Sequence, residues 1–72
     1  PPEQFAERSY SRWAVSEILD RVRGNPEVPI VSTVEVFMAE MTYFAHISPE
    51  TSAREMFTNA ADTAADILSM IS

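Results

Sequence analysis

His46 and Ser48 stand two positions apart, and His46 is the sole histidine of the 72-residue chain. Histidine ionises near neutral pH, so a serine beside it raises the question of nucleophilic catalysis. The local sequence, His46-Ile47-Ser48-Pro49, supplies a simpler account. A histidine in the last turn of a helix faces free carbonyls and the negative helix end, and a serine before proline suits the N-cap of a following helix. We therefore expect no catalytic residue here.

Other constellations are equally sparse. Glu40 and His46 lack the Glu-x-x-His spacing of di-iron bundles. Glu3 with Glu7, and Asp62 with Asp66, recur one helical turn apart, but a hard cation needs further converging oxygens. The chain has no cysteine, which excludes disulfides and thiolate metal sites, and no lysine, which excludes Schiff-base chemistry. With one glycine it has no phosphate-binding loop. No cofactor or metal is expected, and a small enzyme or metal carrier ranks last among the readings.

Charge narrows the partners. Eleven carboxylates against five arginines give a formal charge of −6, a field that repels phosphate backbones. The corner at residues 47–49 resembles a helix-turn-helix in length, yet its second helix would offer Glu50 and Glu55 beside Arg54 alone. Nucleic acid is not the expected partner. No apolar run approaches the roughly 20 residues of a membrane span, and no secretory signal is visible, so a cytoplasmic location is the default. The start at Pro1-Pro2, without methionine, is compatible with a processed or excised piece.

These residues need elements to position them. Residues 3–23 contain no Gly or Pro and run from Glu3 to Arg21 and Arg23, the charge order a helix dipole favours. Gly24 suits a left-handed residue after the helix end, with Pro26 as a stop. Ala6, Tyr10, Ala14, Ile18 and Val22 form a four-residue ridge flanked by Trp13, Val15 and Leu19. The aromatic and aliphatic ends of this ridge face somewhat different directions.

Residues 24–31 form the linker. Ser32-Thr33-Val34-Glu35 matches a capping box, and Val31 with Val36 matches the accompanying hydrophobic staple, so a second helix is expected over 33–47. The β-branched run Val28–Met38 also suits a strand. Helical spacing of Val34, Phe37, Met38, Met41, Phe44 and Ala45 over more than three turns favours the helix. A third helix over 49–71 is expected to start at Ser48-Pro49-Glu50, with Glu50 and Arg54 as an ion pair. Its apolar face runs from Ala53 through Met56, Phe57, Ala60 and Ala64 to Ile71.

The expected fold is all-α, a compact three-helix bundle with the middle helix central. A chain this short buries only roughly 60% of its unfolded surface, so association would add stability. Three helices do not easily enclose one of their number, and the second is apolar on nearly every side. Val36, Ala39, Tyr43 and Ile47, with Tyr10 and Trp13 of the first helix, are the candidate partner interface. The expected function is a non-enzymatic protein-binding module, self-associating as a homodimer through its second helix. The alternative is a small acidic inhibitor that mimics nucleic acid and binds a basic partner through Glu55, Asp62 and Asp66.

Overall fold

Three helices make up the fold in a computed structural model that describes residues 2–72, the side chains of Pro2, Glu3 and Phe5 excepted. They are α1 (Pro2–Gly24), α2 (Ile30–Ile47) and α3 (Thr51–Ile71), with no strand among the described residues. The Val28–Met38 run is therefore helical from Ile30 onward. The expected pairing of Glu3 with Glu7 lies outside the described residues.

The ridge of α1 turns inward as its spacing requires. Ala14 and Ile18 are buried, Tyr10 and Val22 are half-buried, and Val15 and Leu19 on the flank stay exposed. On α2 the buried residues are Thr33, Val34, Phe37 and Met41, and on α3 they are Ala60 and Ala64. Phe37 and Val34 are the largest fully enclosed side chains, which puts α2 at the centre of the core. Val22, Met38, Phe57, Ala61, Ile67 and Leu68 pack around them.

A tight corner between α2 and α3 lets these two helices pair along their length. α1 rests chiefly on α3, where the Ser11 and Thr63 hydroxyls share a hydrogen bond of 3.0 Å. Alanines at 14, 60 and 64 have no side chain beyond Cβ, so backbones can approach closely within the core they line.

The ends expected at 47 and 71 are where α2 and α3 stop, but the caps expected at Gly24, Ser32 and Ser48 are not the ones formed. α2 begins three residues early, with Pro29 at the N-cap in an extended conformation and the Thr33 amide donating to the Pro29 carbonyl at 3.2 Å. Ser32 thus lies inside the first turn, the capping box with Glu35 is not made, and Val31 and Val36 no longer occupy staple positions. The physical reason is continuity: each added helical residue brings a backbone hydrogen bond, and the helix extends upstream until proline stops it.

Ser48 closes α2 instead of opening α3. Its amide and hydroxyl both donate to the Phe44 carbonyl, at 3.0 and 2.6 Å. Pro49 disfavours helical geometry at Ser48, whose φ and ψ are −76° and 125°. Glu50 becomes the N-cap of α3, with no side-chain cap bond. Arg54 does not pair with Glu50; it donates to the Ser48 and Pro49 carbonyls and to Thr51 Oγ1 at 2.8–3.1 Å, clamping the corner.

Gly24 is also not in the left-handed region; it remains helical. Asn25 ends α1, its amide donating to the Arg21 and Val22 carbonyls and its side-chain amide to Arg21 again. A Cβ at Gly24 would meet nothing within 4 Å. Gly24→Ala should therefore stabilise the fold by about 0.4–1 kcal/mol, read as a raised urea midpoint, whereas a left-handed glycine would make it destabilising. Ser32→Ala should change stability by less than about 0.5 kcal/mol, not the ~1 kcal/mol of a lost N-cap.

Candidate interaction surface

The outer face of α2 carries the candidate residues. Successive helical residues rotate by about 100°, so Val36, Tyr43 and Ile47 fall on one line with Ala39 just beside it. Val36 is 54% exposed, Tyr43 60% and Ile47 52%, and Ala39 is also exposed. Nothing among the described residues covers this stripe. Phe44, at its edge, is 40% exposed and bridges Tyr43 and Phe57, with ring centroids 5.7 and 5.5 Å away.

Trp13 and Tyr10 do not join that line. Trp13 packs on the Phe37 ring at 6.0 Å, about a quarter-turn around α2 from Val36, and remains 44% exposed. It covers Phe37 and also adds apolar surface at the crossing of α1 and α2. Tyr10 is half-buried on α1.

A second cover of Phe37 is Arg21, whose guanidinium carbon lies 5.1 Å from the ring centroid. Arg21 Nη2 donates to Glu40 Oε1 at 2.7 Å and Nε donates to Glu17 Oε1 at 3.2 Å. The hydrogen bond that Arg21 donates to Glu40 raises the Arg21 pKa above its ordinary value, against partial desolvation and with Glu17 adding to the rise. The guanidinium thus stays charged across the working range of pH. The Glu17–Arg21 half was legible as an i, i+4 spacing; Glu40 is 19 residues away and carries no sequence signal.

A groove of about 210 Å³ runs beside this network, lined by Arg21, Asn25, Val28, Ser32, Thr33 and Val36. A larger surface hollow of about 460 Å³ borders Arg8, Ser9, Ser11 and Arg12 on α1. Neither brings a histidine to a serine: His46 is exposed in the last turn of α2, and Ser48 is occupied with the Phe44 carbonyl. Among the described residues, no three His, Asp or Glu side chains are placed to hold a metal ion. No helix among them is long and apolar enough to cross a membrane.

Glu55, Asp62 and Asp66 are exposed along one side of α3, away from its buried alanines, and form no ion pair among the described residues. The chain matches no protein-family model, no curated protein and no solved structure.

Because the Arg21–Glu40 pair is only partly screened from solvent, its removal should be mild. Glu40→Gln is expected to cost less than about 1 kcal/mol in urea unfolding, with the difference shrinking as salt is raised. Phe37→Ala, which empties the centre of the core, should cost about 3–5 kcal/mol in the same measurement.

Proposed function

We propose that this chain is a non-enzymatic protein-binding module that self-associates through the outer face of α2. The observation that carries the reading is the line Val36, Tyr43 and Ile47, each more than half exposed on the helix that also supplies the centre of the core. Large apolar side chains scattered singly over a surface need no explanation, but an aligned row with an aromatic at its middle is the usual form of a helix docking face. The small core supports the same reading. Among the described residues seven apolar side chains are buried, three of them alanines, so a partner would add stability to a small core. Trp13 extends the apolar surface at the α1 crossing, although it does not lie on the same line.

A second reading rests on the exposed row of Glu55, Asp62 and Asp66, together with the charge of −6. It has the chain occupy a basic partner through α3 as a nucleic-acid mimic. Salt separates the two, because charge pairing weakens steeply between low and high ionic strength while apolar contact barely responds.

Light scattering over a range of concentrations tests the main reading. The expected result is a monomer–dimer equilibrium that Tyr43→Glu shifts to monomer by burying a charge in the contact. A monomer at every concentration overturns self-association. Glu55→Gln with Asp62→Asn and Asp66→Asn should leave the dimer intact, and loss of dimer in that variant would move the contact to α3.

A further inference from the structure

We infer that the second copy packs antiparallel on α2, about a two-fold axis passing close to Ala39, with Glu35 of each copy bonded to His46 of the other. The inference rests on the self-association reading and specifies its geometry.

The exposed stripe is nearly symmetric about its middle. Ser32, Val36, Ala39, Tyr43 and Ile47 are all exposed on one side of α2, and Ala39 is the central and smallest of the five. A small residue at the crossing point lets two helices approach to about 8 Å, the close end of the normal range. Antiparallel pairing about that point sets Val36 against Tyr43 of the second copy and Ser32 against its Ile47. Each large side chain then meets a smaller one. A parallel pairing would instead stack Tyr43 on Tyr43 and Val36 on Val36, leaving gaps between them.

Charge complementarity gives the direction. Glu35 and His46 lie on the same flank of α2, are exposed, and form no ion pair or side-chain hydrogen bond among the described residues. A two-fold axis of this kind brings like flanks together. With about 1.5 Å of rise per residue, Glu35 then stands roughly 3 Å along the axis from His46 of the second copy. Helical side chains lean toward their own N-terminus, so in antiparallel helices these two lean toward each other. The imidazole N–H donates to the carboxylate, and symmetry makes the contact twice. In a parallel pairing the two-fold axis runs along the helices and sets opposite flanks together, so Glu35 would not meet His46 of the second copy.

Glu40 is the carboxylate nearest the axis and would meet its own copy there. It is already held by Arg21 at 2.7 Å, so each chain brings its own counter-charge to the middle of the contact. The two Glu35 side chains stand about 13 Å apart along the axis, beyond a Debye length at physiological salt.

The absence of cysteine makes the geometry directly readable, because any introduced thiol is the only one in its chain. Under mild oxidation Ala39→Cys should give a disulfide-linked dimer on a non-reducing gel, since Cα atoms must lie within about 7 Å to bridge. Val36→Cys and Tyr43→Cys should each fail to cross-link alone and should cross-link when mixed. Glu35→Gln should weaken the dimer roughly fivefold, and the swap Glu35→His with His46→Glu should restore it. Self-cross-linking at Val36→Cys and Tyr43→Cys as strong as at Ala39→Cys means a parallel dimer and overturns the inference while leaving self-association standing. A mixed link from Val36→Cys to Ile47→Cys stronger than to Tyr43→Cys overturns the register. A monomeric parent chain overturns both readings.

Discussion

Phe37 has to be enclosed by a chain with very little to enclose it. Its ring is fully buried, and each helix contributes to that burial in a different way. α1 lays Trp13 and Arg21, about two turns apart, over the ring from the outside. α3 supplies a floor of alanines that brings its backbone close. Phe37 is thus the point where the three elements have a common interest, and the Arg21–Glu40 contact between α1 and α2 sits beside it. Arg21 can lie over the ring because Glu17 and Glu40 hold its guanidinium in place, so the charged network serves the apolar core.

The same economy accounts for the exposed face of α2. A helix has one stripe that two neighbours can cover, and α1 and α3 spend their surface on Val34, Phe37 and Met41. α1 crosses α2 near Phe37 and otherwise rests on α3, which leaves Val36, Ala39, Tyr43 and Ile47 facing outward. Covering them would need a fourth helix. None of the three described helices supplies it, and in the proposed dimer a second copy of α2 would.

How much of this was legible beforehand follows from the range over which each signal acts. The three helices and their inward faces were readable because apolar spacing at three and four residues repeats over many turns, as in Ala14, Ile18 and Val22 or Val34, Phe37 and Met41. The caps differ from their sequence signals because a cap depends on one or two residues and loses to the backbone. Ser32 and Glu35 have the capping-box types, but Pro29 sets the boundary; Ser48 has the N-cap type, but Pro49 holds it extended and returns its hydroxyl to Phe44. The aromatic end of α1 was grouped with Tyr43 on residue type alone. Which side of α2 it would meet depends on the crossing of α1, and the linker sequence is silent about that angle. Arg54 illustrates the same limit: its i, i+4 spacing from Glu50 suggested a surface ion pair, while three acceptors at the corner outcompete it.

That corner also orders the events of folding. Ser48, Pro49 and Glu50 join α2 to α3 with almost no loop to close, and Arg54 ties the turn from within the next helix. Contacts between α2 and α3 begin at the corner and zip outward from it, so this helical hairpin is expected to form early. α1 reaches its place through contacts such as Ser11 with Thr63, 52 residues apart, and is expected to dock onto that hairpin afterwards. Release of α1 alone would lift Trp13 and Arg21 from Phe37 together and uncover the ring in one step. The helix that completes the core is thus also the one whose departure would be felt first, as fast amide exchange along α1 while the hairpin stays protected.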